Sequence, residues 1–347
     1  MQPVPFGKTG LLSPPLIFGS TALGNLFQVF SDESKLAVMR AIFAQLPKPV
    51  VIDSAGKYGA GLALEVMGNC LRELGVPNDE VIISNKLAWL RAPLQTPEPT
   101  FEPGAWFGLQ HDAVQAISYS GIRQCFEQGL ELLGGGYSTQ LISVHDPDEY
   151  LDAAQSPDDR KRRFDDILGA YAALREIKAA GAAKGIGVGA KNWRSIQEIA
   201  AQVELDWVMF ANSYTLYSHP ADLLAFMDSL HEKGVAIINS AVFNAGFLTG
   251  GAFFNYVRLD PKNPRHAEKF AWRERFFALC AEHGQKPAEV CIQFGRSHPG
   301  IVALALSTSK PQRVKANVEA MAVEIPGSFW KALQQAGLLA ADHPYMA

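Results

Sequence analysis

The chain has 347 residues, of which 48% are hydrophobic and 19% charged, a composition that predicts a globular protein with a large core. Its formal net charge of −4 offers neither the basic footprint of a nucleic-acid binder nor a polybasic membrane patch. Four cysteines (Cys70, Cys125, Cys280 and Cys291) stand far apart without a C-x-x-C pair. With no leader pattern and no apolar run of membrane-spanning length, this predicts free thiols and a cytoplasmic protein.

Short β-rich apolar runs recur at 15–20, 50–55, 81–87, 140–145, 185–189, 207–214, 234–240 and 301–308. Amphipathic segments alternate with them. The first, 31–45, opens with Ser31-Asp32-Glu33 and stops near Pro47. Segment 61–74 ends at Gly75, 118–133 at the Gly134–Gly136 triplet, 160–180 at Gly181 and 221–233 at Gly234. The last strand is followed by 310–321. Capping residues and terminal glycines are the expected helix punctuation. Strands without polar alternation, each followed by a helix, imply parallel β-α-β units. Eight such units at this length predict an α/β fold, a (β/α)8 TIM barrel forming one domain over residues 1–347.

Two connections are too long to be simple turns. Segment 91–117, after strand three, is rich in proline and aromatics. Segment 242–266, after strand seven, carries Phe243, Phe247, Phe253, Phe254 and Tyr256. Both leave the C-terminal ends of strands, the face on which barrel enzymes build their sites.

The same face collects ionisable residues. Asp53 closes strand two, Tyr58 lies just beyond it, Lys86 ends "VIISNKL" and His145 ends "QLISVH". Asp53 also reads as a helix cap, since Asp and Ser are good N-cap residues. Four such groups at one mouth define a candidate site. A tyrosine is a poor base at neutral pH and needs a nearby cation to favour phenolate. Lys86 is expected to be that cation, held by Asp53, with His145 on the substrate oxygen. No side chain donates hydride, so a nicotinamide or flavin is required.

These residues resemble the aldo-keto reductases, NAD(P)-dependent (β/α)8-barrel oxidoreductases with an Asp-Tyr-Lys-His tetrad. "DSAGKYG" from Asp53 is similar to the D-[TS]-A-x-x-Y-G signature, and "GLALEVMG" from Gly61 to its continuation. The resemblance runs from about Phe6 to Ala340. "PFGKTGLLSPPLIFGSTALGNLF", "EPGAWFGLQHDAVQAISYSGI" and "VHDPD" are most similar to the branch that oxidises aldoses at C1. That branch holds L-fucose, D-threo-aldose and L-galactose dehydrogenases and the related pyridoxal 4-dehydrogenase.

The resemblance implies Asp53, Tyr58, Lys86 and His145 as catalytic residues. It also implies an NADP or NAD site. "LSTSKPQRVKAN" is similar to the adenosine-phosphate loop, with Ser307, Thr308, Arg313 and Asn317 as cofactor residues, and Ser307 stands where many NADPH-preferring members carry lysine. Asn192 is the candidate for the carboxamide, and Asn212, Tyr214, Ser240 and Phe243 for the stacking and amide region. Trp89, Trp106 and Phe107 are placed at the sugar pocket. Substrate specificity is expected in segments 91–117, 242–266 and 340–347.

Rival motifs carry less. "GIGVGA" lacks the strand–turn–helix context of a dinucleotide fingerprint and reads as a small-residue barrel strand. No histidine pair has metal-ligand spacing, so no metal is expected. No G-x-S-x-G elbow is present. The implied reaction is oxidation of an aldose C1 to the lactone, with Tyr58 as general acid/base. The alternatives are a pyridoxal 4-dehydrogenase, a general NADPH-dependent aldehyde or ketone reductase, or a cofactor-binding regulatory subunit. The expected partner is a small sugar or aldehyde, with neither nucleic acid nor membrane.

Overall fold

The computed structural model describes residues 2–346, and in it all eight apolar runs are parallel strands. In chain order they are Leu16–Gly19, Val50–Ala55, Val81–Leu87, Leu141–His145, Gly185–Ala190, Trp207–Ala211, Ala236–Ser240 and Ile301–Ser307. Each pairs with its sequence neighbours, and the first and eighth pair with each other, so the sheet closes as a (β/α)8 TIM barrel. Closure leaves no strand edge unpaired.

Side chains alternate between two cores. Ile17, Val51, Ile82, Leu141, Trp207, Met209, Ile238 and Ala305 fill the barrel interior. Leu16, Phe18, Val50, Ile52, Val81 and Ile83 point outward, where they pack under helices. Strand five fits this scheme through its glycines. A Cβ on Gly187 would lie 2.3 Å from the Trp207 indole, and one on Gly189 would lie 3.0 Å from Lys86 Cδ. The small-residue strand makes room for an indole below and a lysine stem above.

The main helices are α1 (Asp32–Gln45), α2 (Leu62–Glu73), α3 (Tyr119–Leu133), a short α4 (Pro147–Asp152) and α5 (Pro157–Ala179). They continue with α6 (Trp193–Ala200), α7 (Ala221–Glu232), α8 (Ala267–Glu282), α9 (Pro287–Gly295), α10 (Pro311–Ala320) and α11 (Gly327–Gln335). Ser31 and Ser118 cap α1 and α3 by accepting backbone N–H bonds from Ser34 and Gly121. Helix α5 starts three residues before the expected 160 because Ser156 caps it and Pro157 pre-sets its first turn. Strand six stops at Ala211, not at the expected 214, because Asn212 takes a left-handed φ of 60°.

Both long connections are ordered. Trp89–Pro93 pairs antiparallel with His111–Gln115, and Phe253–Phe254 with Val257–Arg258. A further hairpin, Val4–Pro5 with Leu12–Ser13, closes the opposite end of the barrel, and Phe6 plugs the interior there. The four cysteines are buried and unpaired. Among the described residues, no helix is long and apolar enough to cross a membrane.

Candidate active site

Strand parity carries the charged residues inward. Asp53 follows Val51 on the interior face, Lys86 follows Ile82 and Ser84, and His145 follows Leu141 and Ser143. The register sets Asp53 beside Ser84 and Ala55 beside Lys86. Lys86 sits beside Ser143, and His145 beside Gly189. At the mouth the Lys86 ammonium forms a buried ion pair with Asp53 Oδ2. Asp53 Oδ1 accepts the Ser84 hydroxyl at 3.0 Å, so both of its oxygens are engaged. A buried ion pair is tolerable only with such additional hydrogen bonds.

Tyr58 returns over this pair on a tight turn. Its N–H donates to Ala55 O at 3.1 Å, and Gly59 follows at φ 61°. Only glycine fits there: a Cβ on Gly59 would lie 2.4 Å from Gly24 O. The phenol ring has Lys86 Nζ 4.7 Å from its centroid on one face and His145 edge-on at 5.6 Å. The four tetrad residues therefore meet at one point.

One expectation about them is corrected. Lys86 was to favour phenolate, yet burial, with Asp53 next, pushes the Tyr58 phenol well above its ordinary range. The reason is geometric: the ammonium is neutralised by Asp53 and lies on the ring face. Tyr58 rests as a phenol. Burial likewise holds the His145 imidazole neutral, well below its ordinary pKa, against the pull of Asp146. Its Nε2 lies 3.5 Å from Asp146 Oδ2, and its Nδ1 has no partner among the described residues.

These groups face a cavity of about 300 Å³. Gly189, Ala190, Met209, Ala211 and Ser240, all on barrel strands, form its floor, and Trp106 and Tyr256 supply aromatic walls. Three loops converge above. Leu26 pairs with Trp106 in an isolated bridge, and Phe27 stacks on Phe253 at 4.6 Å.

Other sequence-derived placements divide. Trp106 lines the cavity, but Trp89 and Phe107 do not. Trp89 lies behind it against Phe101 at 6.0 Å, and Phe107 points outward, exposed. Ser240 lines the floor, its hydroxyl donating to Phe210 O. Tyr214 is corrected: it is fully buried, stacked on Phe294 at 5.0 Å and bonded to Ser297 and His343, so it cannot stack on a nicotinamide. Phe243 packs into the helix–sheet cores and is not at the cavity. Asn192 caps α6, its Oδ1 accepting the Arg194 N–H at 3.0 Å, and it does not line the cavity. Segment 340–346 docks on His219 and Asp228 away from the cavity, and Ala347 lies outside the described residues.

The fit to a nicotinamide rests on Asn212. Its buried side-chain amide leaves both Nδ2 and Oδ1 unpartnered, immediately after Ala211 of the floor. A donor and an acceptor held together complement a carboxamide. In the loop after the eighth strand, Ser307 donates to Gly19 O at 2.9 Å and Thr308 accepts from Lys310 N at 3.1 Å. Arg313, exposed, and Asn317, half-buried, stand on α10.

Residues outside those expectations line the same cavity: Lys57, Glu102, Asp146 and Lys191. Lys57 sits inside "GKYG" and Asp146 directly follows His145, so their sequence neighbours were the available signal. Lys191 follows the end of strand five and Glu102 lies in segment 91–117, so strand ends and the long connection were the only signals for them.

A parallel eight-stranded barrel with an acid–base cluster at its C-terminal mouth defines the class: a barrel oxidoreductase whose side chains handle a proton. The chain belongs to the aldo/keto reductase family, whose family model matches residues 15–337, and is an NAD(P)-dependent oxidoreductase. It is 28% identical to a pyridoxal 4-dehydrogenase of Microbacterium luteolum, covering 96% of each chain. It is 27% identical to a D-threo-aldose 1-dehydrogenase of a Pseudomonas species, covering 95% of this chain and 96% of that one. Its fold matches a holo-form aldo-keto reductase of Bacillus halodurans with a TM-score of 0.69 at 18% identity, covering 98% and 97% of the two chains.

Proposed function

We propose that the enzyme oxidises an aldose sugar at C1 to its lactone, with Tyr58 as the general acid/base. The observation that carries this reading is the mixed lining of the cavity. Tyr58 and His145 share it with hydrogen-bonding side chains and with the Trp106 and Tyr256 rings. A ring that stacks on aromatics and presents several hydroxyls matches that surface.

In the oxidative direction the C1 hydroxyl hydrogen-bonds to Tyr58 Oη and His145 Nε2. Its proton passes to Tyr58 in the phenolate form, C1 gives up its hydrogen as hydride, and a C1 carbonyl remains. A nicotinamide coenzyme, when bound, would supply the acceptor for that hydride. Neutral His145 donates a hydrogen bond to the substrate oxygen and orients it, and Lys86 and Asp53 fix the phenol from below. Asn212 and Ser240 are proposed to hold the nicotinamide, and Ser307, Thr308, Arg313 and Asn317 the adenosine phosphate. Arg313 suits a 2′-phosphate, whereas Ser307 offers no cation there, so both NADP and NAD are tested.

A second reading, oxidation of pyridoxal, is favoured by one contact: the Trp106 ring lies 5.7 Å from that of Tyr58, a setting that takes a flat aromatic aldehyde. The deciding experiment offers L-fucose, D-arabinose, L-galactose, pyridoxal and an aromatic aldehyde with both cofactors. The sugar reading predicts reduced cofactor with at least one aldose, lost about 10²–10⁴-fold in Tyr58→Phe. Turnover of pyridoxal alone would favour the second reading. No turnover of any substrate by a protein that binds cofactor would overturn both.

A further inference from the structure

One wall of the cavity, next to Tyr58 and His145, is an ion-pair network. Lys57, fully buried, directs its ammonium at Glu102 Oε1 at 2.7 Å, Asp146 Oδ2 at 2.9 Å and Glu149 Oε2 at 2.7 Å. An ammonium has three N–H donors, so Lys57 is saturated. Lys191 differs. Its ammonium pairs with Glu149, while Asp146 and Glu102 stay at 3.8 and 3.9 Å, beyond hydrogen-bond distance. Two of its donors are thus free, and the residue lines the cavity with its ammonium 5.6 Å from the Tyr256 ring.

Backbone geometry holds Lys191 in place. The N–H groups of Lys191 and Asn192 donate to Asp148 Oδ2 at 3.1 and 2.8 Å. Burial opposes its charge, but Asp146 and Glu149 outweigh that and hold the ammonium charged, its pKa raised to about 12. Glu102 also faces the cavity. One oxygen takes Lys57 and the other the Trp106 indole N–H at 2.7 Å. Each carboxylate oxygen accepts two hydrogen bonds, so Glu102 retains acceptor capacity.

Two lysines face three carboxylates, which leaves this wall with one net negative charge. A free donor pair beside a partly free carboxylate binds vicinal hydroxyls, which donate and accept together. A phosphate or carboxylate on the substrate would meet Glu102 and Asp146 instead. We propose that Lys191 and Glu102 are the specificity-determining residues for the non-reacting hydroxyls of a neutral polyhydroxylated substrate, with Lys57 as the positioning residue that fixes Glu102. This rests on Tyr58 and His145 being where the carbonyl or C1 sits, as read above.

The experiment compares reduction of glyceraldehyde, propanal and glyceraldehyde 3-phosphate by the wild-type enzyme, Lys191→Met and Lys191→Arg, all cofactor-loaded. Binding of a 1,5-anhydro sugar is followed in parallel by calorimetry. That sugar keeps the distal hydroxyls and cannot react. In Lys191→Met the kcat/KM ratio of glyceraldehyde to propanal should fall about tenfold or more, mainly through KM, and binding of the anhydro sugar should weaken to match. A hydrogen bond to a charged group is large enough for this. Lys191→Arg should restore most of the ratio, and the wild type should disfavour the phosphorylated aldehyde.

A parallel loss on both aldehydes would mean a merely structural Lys191 and overturn the proposal. Equal anhydro-sugar binding by wild type and Lys191→Met would also overturn it, as would a preference for the phosphorylated aldehyde. Because neither aldehyde reduction nor anhydro-sugar binding requires aldose oxidation, a failed sugar reading remains distinguishable from a failed wall.

Discussion

Tyr58 is the residue whose chemistry the sequence leaves half-described. Its position in "DSAGKYG" announces a role at the mouth, and strand parity announces that Asp53, Lys86 and His145 share it. Its protonation state depends on which part of the ring Lys86 faces and on what else Lys86 touches. Asp53 takes the ammonium and burial does the rest, so the phenol is raised. The sign of the consequence follows. In the proposed mechanism oxidation requires Tyr58 to accept a proton, so it runs through the phenolate fraction, which grows about tenfold per pH unit below the raised pKa. Reduction uses the phenol, which is fully present at neutral pH. We expect kcat/KM for aldose oxidation to climb from pH 7 to pH 10 while aldehyde reduction stays level or falls. Matched pH–rate profiles check this, and an oxidation optimum below pH 7 would exclude Tyr58 as the proton acceptor.

At the scale of elements, the regular parts were legible and the irregular parts were not. All eight strands came from apolar runs, and Ser31 and Ser118 marked their helices because capping is local. The Gly185, Gly187 and Gly189 strand was legible as small, although its reason, the Trp207 indole and the Lys86 stem, lies on other strands. The long connections were flagged by length and composition, yet aromatic content misassigned their residues. Trp89 and Phe107 fall outside the cavity, whereas Glu102 and Tyr256 enter it. Tyr214 shows the same limit: a motif placed it near the site, and stacking against Phe294 turned it away. Side-chain direction in a loop is set by which neighbours offer a pocket, and single-sequence patterns do not encode that.

For the molecule as a whole, the C-terminal segment ties the barrel to its histidines. Tyr345 reaches Asp228, Ala340 N donates to His219, and Tyr214 meets His343. Burial lowers His219 and His298 and pushes His343 down to about 4, and it also lowers His145. An unfolded histidine titrates near its ordinary pKa of about 6.5. Below that pH the unfolded chain binds protons that the folded rings refuse, so stability is full above about pH 7 and declines towards pH 4. At about 1.4 kcal/mol per pKa unit, His343 alone accounts for up to about 3 kcal/mol. Thermal unfolding should therefore shift to lower temperature between pH 7.5 and pH 5, less steeply in His343→Asn; an equal slope in both proteins would contradict this account of the segment. The central claim is that the assembled barrel moves hydride from C1 of an aldose while Tyr58 handles the proton. An aldose deuterated at C1, turned over with oxidised cofactor and followed by NMR, tests it most directly. Deuterium recovered on the nicotinamide ring, together with the lactone, is the predicted result; deuterium retained in the sugar or released to water would contradict it.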